Sequence, residues 1–247
     1  MIRENIATQS RQALATQGLM QPVYIDDCDQ SDAHEVVVAD SWARPETTIS
    51  IFPPCGGSSK PIDDTTWQLM QGRSWRAELG GPGRGKLSLL SIPYIDFCGK
   101  EQLGEMIVAE SVAADVLSVF SELKRIGFPI ASMRLIDRFD GDDFASMTAN
   151  NTSAFNCRTV MGGSRLSEHA YGTAIDINPI QNPYVSGEHV LPESGWRFAA
   201  SPGRRRSEPG LIVSGGPVVA AFARIGWKWG GEWSALKDYH HFSQSGR

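Results

Sequence analysis

The stretch Gly172-Thr-Ala-Ile-Asp-Ile-Asn178, closed by Pro179, constrains this chain more than any other. Its alternation puts Thr173, Ile175 and Ile177 on one face of a strand and Ala174, Asp176 and Asn178 on the other. With the isoleucines turned to a core, Asp176 points the opposite way. Just upstream, Ser167-Glu-His169 reads as a turn that Gly172 closes at little steric cost. One imidazole and one carboxylate therefore lie seven residues apart at the head of a strand.

A neutral imidazole and a carboxylate are two of the usual zinc ligands, and a catalytic zinc takes three protein ligands and keeps one position open for water. A third ligand is then expected elsewhere. The chain has five histidines. Two of them, His240 and His241, lie near the C-terminus behind an acid, in Trp229-Gly-Gly-Glu-Trp233-Ser-Ala-Leu-Lys-Asp238-Tyr-His240-His241-Phe242. In a straight strand Asp238 and His240 would share a face, and His240 would be the ligand.

Ser167-x-His169, Gly172-x-Ala174-x-Asp176 and Asp238-x-x-His241-Phe242 together resemble the M15 zinc peptidases, the D-Ala-D-Ala carboxypeptidases and L-Ala-D-Glu endopeptidases that cut peptidoglycan stem peptides. The resemblance is closer to the endopeptidase-like branch, where a Gly-Gly-acid-Trp segment leads into the second histidine. It spans roughly residues 74–243 and is strongest after residue 146. It implies that His169, Asp176 and His241 bind Zn2+, that Asp238 is the general base, and that residues 238–241 turn. Within Ser146–Arg158 it implies that Arg158 helps hold the scissile carbonyl or the substrate, a task suited to the fixed fork of guanidinium donors. Ser167 or Asn178 would orient the ligands from behind.

The remaining totals narrow the class. With 41% hydrophobic and 21% charged residues the sequence suits an ordinary globular protein, and a net charge of −5 speaks against a nucleic-acid partner. No run of eighteen apolar residues is present, so no membrane span is expected, and no signal peptide is visible at the start. The substrate implied by the resemblance points to a periplasmic or extracellular location in a bacterium. Cys28, Cys55, Cys98 and Cys157 form no Cys-x-x-Cys pair, which leaves buried thiols or one or two disulfides.

Residues 1–73 read as an N-terminal extension of unassigned role, with a short helix within 4–17, strands at 36–39 and 48–52, and His34 as a surface histidine. Residues 74–247 read as the catalytic domain. Gly80–Lys86 looks like a phosphate loop but has Leu87 where a hydroxyl residue should hold magnesium, so a turn is expected. Asp140-Gly-Asp-Asp143 lacks calcium-loop spacing and reads as a solvated acidic turn.

Strands are expected at 87–95, 132–137, 173–178 and 238–243, with helices at 105–126 and 217–225. Pro93 suggests an edge or a bulge. The long polar excursion 187–215, with Arg204-Arg-Arg206, reads as a lid or substrate-facing flap, and Trp233 is expected to pack under the ligands. The class is α+β, a small antiparallel sheet with flanking helices carrying the site. The resemblance implies the hedgehog/DD-peptidase-like version of that fold.

Two other functions fit the same residues. A peptidoglycan- or zinc-binding module would keep the ligands without needing a base. A metallo-amidase acting on a non-wall substrate would share the chemistry and differ only in its pocket. The sequence does not distinguish D-Ala-D-Ala from L-Ala-D-Glu cleavage, nor does it set an oligomeric state.

Overall fold

A computed structural model describes residues 57–200, 204 and 208–247. The helix within 4–17, the strands at 36–39 and 48–52, and His34 lie outside the described residues. In chain order the described elements begin with β1 (Ser58–Pro61), α1 (Asp64–Met70), β2 (Leu87–Ile95), β3 (Glu101–Ala109), α2 (Ala113–Arg125), β4 (Ser132–Met133), α3 (Asp143–Thr148) and β5 (Asn151–Thr152). Then follow β6 (Ala174–Asp176), β7 (Tyr184–Ser186), β8 (His189–Leu191), α4 (Pro217–Arg224), β9 (Lys228–Trp229), β10 (Lys237–Asp238) and β11 (His241–Ser243). This mixture of helices and small antiparallel sheets is an α+β architecture.

β2 and β3 form the central hairpin, and β1 adds to the other side of β2. Alternation along β2 covers both of its faces. Leu90, Ile92 and Tyr94 enter the main core, whereas Leu87 and Leu89 enter a second cluster with Met70, Leu135 and Phe155. On β3, Met106 and Val108 face the first core and Ile107 the second. Pro93 lies beyond the end of β1, whose pairing stops at Ser91, so among the described residues no strand on that side needs its missing N–H.

The expected helix 105–126 is therefore divided. Its first part is strand β3, a 3-10 turn covers Glu110–Val112, and the α-helix is Ala113–Arg125. Apolar residues 106–108 satisfy either period locally, and pairing with β2 decides for the strand. Within α2, Val116, Val119, Phe120 and Leu123 recur at helical spacing and are buried against the hairpin. The expected strand 132–137 is likewise cut to Ser132–Met133, because residues 136–139 turn to bring the Asp137 carboxylate to the Ser74 N–H at 3.2 Å.

The single sheet expected to carry the site is in fact several. β6 and β9 flank β11 in one antiparallel sheet, β10, β7 and β8 form another, and β4 pairs with β5 in parallel. The 238–243 segment breaks between β10 and β11, so its two ends join different sheets. α4 starts with Pro217 in its first turn and packs Val218, Ala221 and Phe222 into the main core, where Phe222 stacks on Phe242 at 4.0 Å.

Residues 57–73 join the body described above: β1 completes the hairpin sheet, and Ile62 and Met70 lie in the second cluster. Residues 77–79 and 84–86 are 3-10 turns, as expected of a loop. Asp142 caps α3 by accepting from the Phe144 and Ala145 N–H groups, which gives the acidic turn a structural task. Cys157 is a buried free thiol and Cys98 is disulfide-bonded. No helix among the described residues is long and apolar enough to cross a membrane.

Candidate metal centre

His169 sits in the 3-10 turn Glu168–Tyr171. The Ser167 hydroxyl caps that turn by accepting from the His169 N–H, and Gly172 ends it at φ 71°, a left-handed conformation that glycine adopts without Cβ strain. Gly172 has a second constraint: a Cβ there would lie 2.5 Å from the Ala109 nitrogen and 2.9 Å from the Val108 carbonyl carbon. The turn is thus seated directly on the backbone of β3, and the Ala109 N–H donates to the Gly172 carbonyl at 2.9 Å.

Asp176 ends β6, and its cross-strand partner on β11 is His241. Directly opposed residues hold their Cβ atoms about 5 Å apart on one face of the ladder. The register therefore brings the acid and the second histidine together, and a one-residue slip would turn His241 to the other face. Trp233 packs its ring against His241 with centroids 5.4 Å apart and donates its indole N–H to the Gly246 carbonyl.

His169 Nε2 lies 3.2 Å from Asp176 Oδ2 and 3.2 Å from His241 Nδ1, and His241 Nδ1 lies 3.0 Å from Asp176 Oδ1. All three residues are buried, at 2–5% exposure. The outer ring nitrogens face carbonyl oxygens: His169 Nδ1 meets Ala154 O at 2.6 Å and His241 Nε2 meets Arg247 O at 3.0 Å. A carbonyl oxygen only accepts, so each outer nitrogen carries its proton. In the neutral rings the inner nitrogens then present lone pairs to each other and to a carboxylate. Three acceptors converge with no donor among them, an arrangement that only a cation stabilises.

The protonation tendencies reflect the same demand. Burial opposes ionisation of Asp176, yet His169 and His240 hold its carboxyl well below the ordinary range. Burial opposes charging His241, yet its hydrogen bond to Asp176 and the charges of Asp176 and Asp238 raise it. Among the described residues His169, Asp176 and His241 form a group whose donor atoms lie within 4.8 Å of one another, close enough to hold a metal ion.

The neighbouring acid and histidine are beside this group. Asp238 ends β10 and has an oxygen 2.8 Å from His240 Nε2, and His240 Nδ1 faces the Asn182 carbonyl at 2.8 Å. His240 is outside the three-residue group, with its Nε2 3.9 Å from Asp176 Oδ2. The backbone bends at residues 239–240, within the 238–241 stretch where the resemblance implied a turn.

Residues 161–244 match a family model described as D-alanyl-D-alanine carboxypeptidase, of the M15 peptidases. This segment is similar to the M15 peptidases. No solved structure gives a significant match to the chain. The matched segment contains His169, Asp176, Asp238 and His241, and its similarity is to hydrolytic peptidases.

Arg158 lies just upstream of the matched segment. Its Nη2 pairs with Asp143 Oδ2 at 2.8 Å, its side chain is about one-quarter exposed, and its Nε is buried without a partner. Among the described contacts none joins it to the three-residue group. Asn178 also has no contact with that group. Its side chain accepts from the Ala131 N–H and donates to the Pro129 and Gly210 carbonyls, pinning loops together. The expected outer support from Ser167 is limited to the backbone of His169, and the ring contacts come from Ala154 and Arg247.

Those two main-chain oxygens left no trace in residue types. His240 pairs with Asp238 across the bend at residues 239–240, a contact that strand alternation does not explain. Gly230 is a further case. A Cβ there would lie 2.6 Å from Asp238 O and 3.3 Å from the His241 Cβ, which explains a glycine in the Gly-Gly-acid-Trp segment. His189 is exposed. The excursion 187–215 carries β8 and a 3-10 helix at Glu193–Phe198, and within it Arg204 donates to the Gln181, Phe198 and Ile212 carbonyls while its guanidinium lies 3.5 Å from the Tyr239 ring centroid.

Proposed function

We propose that this chain is an M15 zinc peptidase hydrolysing amide bonds in peptidoglycan stem peptides, of the D-Ala-D-Ala carboxypeptidase or L-Ala-D-Glu endopeptidase type. The observation that carries this is the convergence of His169 Nε2, Asp176 and His241 Nδ1, whose outer nitrogens are committed to carbonyls and whose inner atoms are left to a cation. Two nitrogens and one carboxylate oxygen are a donor set that suits zinc and leaves a fourth position open. When bound, zinc lowers the pKa of water from 15.7 to about 7 and polarises a carbonyl oxygen.

Asp238 then takes a proton from the attacking water as the C–O bond forms, and delivers it to the leaving amine as the C–N bond breaks. Arg158 is assigned to hold the substrate's carbonyl or carboxylate. Its unpartnered Nε supports this, and its pairing with Asp143 would hold the fork in one orientation. Residues 74–247 are the proposed catalytic unit in the hedgehog/DD-peptidase-like version of the α+β fold, with residues 1–73 an extension of unassigned role. A periplasmic or extracellular location is proposed with the substrate, and the disulfide at Cys98 suits an oxidising compartment.

The test is digestion of purified muropeptides with mass analysis of the products, with and without a chelator. Hydrolysis that chelation stops and zinc restores is expected, and the mass lost identifies the bond. Stem peptides left intact by fully zinc-loaded protein would defeat the proposal. Asp238→Asn separates the enzyme from a binding module, since it cuts turnover about 100- to 10,000-fold to a measurable residual rate in the first and leaves the second unaffected.

A further inference from the structure

We propose that His240 is the positioning residue for the base: a buried imidazole, anchored through Nδ1 on the Asn182 carbonyl, that holds one oxygen of Asp238 through Nε2 and so fixes the carboxylate beside the metal group. The inference rests on Asp238 being the base. His240 is only 3% exposed, so its ring nitrogens must find partners within the protein. Nδ1 lies 2.8 Å from the Asn182 carbonyl, which only accepts, so that nitrogen carries a proton and the ring orientation is set from behind. Nε2 then lies 2.8 Å from Asp238 Oδ1 but 3.9 Å from Asp176 Oδ2, so the base is its partner and the carboxylate of the metal group is not.

The anchor is itself held. The Asn182 amide donates to the Ile177, Asn178 and Gly210 carbonyls, and its Oδ1 accepts from the Ile212 N–H at 2.7 Å. Between Asp238 and His240, the Tyr239 N–H donates to the Pro183 carbonyl and the Tyr239 ring lies against Arg204. The far end of this chain of contacts is the Asp238 carboxylate. Its Oδ1 is buried, and among the described residues its one polar contact is the ion pair with His240 Nε2. Removing the imidazole leaves that oxygen without support and frees the carboxylate to rotate. This gives His240 a task that neither the metal group nor the substrate requires of it.

The test is a double-mutant cycle on the zinc-loaded protein, read as muropeptide cleavage rate and zinc content. His240→Ala is expected to lower kcat about 10- to 100-fold, the usual cost of losing a group that orients a reacting one, with zinc content unchanged. In an Asp238→Asn background the same change is expected to add nothing, because residues that act through one another are non-additive. His240→Gln, which keeps an N–H donor, is expected to recover part of the loss and carries the cycle if the alanine variant does not fold. In ¹⁵N-histidine-labelled metal-free protein, the His240 Nδ1 proton is expected as a slowly exchanging resonance.

A His240→Ala rate within about twofold of the parent, multiplicative losses in the cycle, loss of zinc from the variant, or an unprotonated Nδ1 would each overturn the inference. An Asp238→Asn protein as active as the parent would instead remove the base assignment, and the inference would fall with it.

Discussion

Replacing Gly172 by alanine adds one methyl group and tests how the His169 turn is seated. Two effects sum. At φ 71° a side chain costs roughly 1–2 kcal/mol of left-handed strain. The new Cβ also meets the Ala109 nitrogen at 2.5 Å and the Val108 carbonyl carbon at 2.9 Å, both main-chain atoms of a strand paired along its whole length. They cannot swing aside, so the turn must lift and the Ala109 N–H to Gly172 carbonyl bond is lost, worth about 1 kcal/mol. The expected total is roughly 2–3 kcal/mol.

Gly226→Ala is the internal control. Its φ is 79° and a Cβ there meets nothing within 4 Å, so it bears the strain alone. Equilibrium urea unfolding of both variants, metal-free, isolates the clash as the difference between them. Zinc competition against a chelator should show about tenfold weaker binding for Gly172→Ala and none of that loss for Gly226→Ala, since only the former displaces His169. Equal stabilities within about 0.5 kcal/mol would refute the claim that β3 seats the site.

Other expectations follow from the same contacts. Phe242→Ala empties a fully buried site stacked on Phe222 and should cost about 3–5 kcal/mol by denaturant unfolding. Burial by itself would lower the pKa of His240, but the charges of Asp238 and Asp176 raise it from 6.5 to about 9. A histidine raised in the folded state stabilises fully below its unfolded pKa. The metal-free parent should therefore lose about 3 kcal/mol relative to His240→Gln as pH rises from 6.5 through 9, measured by unfolding at each pH. Arg158→Lys keeps the charge but loses the fork, and should lower kcat/KM at least about tenfold with zinc content unchanged in a muropeptide assay.

Much of the site could be read from residue types alone. The order of His169, Asp176, Asp238 and His241 points to the proposed chemistry, and the matched segment covers all four. α2 declared itself through Val116, Val119, Phe120 and Leu123, and α4 through Pro217 at its start. The β3 strand did not, because Met106, Ile107 and Val108 fit a helix as well as a strand until β2 pairs with them. Arg158 was named for the substrate, but its local sequence could not reveal Asp143 as its partner, fifteen positions away.

The sequence by itself determined the donor set, two imidazoles and a carboxylate with a second acid nearby, because ligand chemistry belongs to side-chain type and order. Only the tertiary structure decided which histidine joins the group and which nitrogen each one presents. That choice depends on the β6–β11 register opposing Asp176 to His241, and on Ala154, Arg247 and Asn182 carbonyls claiming the remaining ring nitrogens. Register and carbonyl direction are set by pairing between residues far apart in the chain, so no local pattern can encode them.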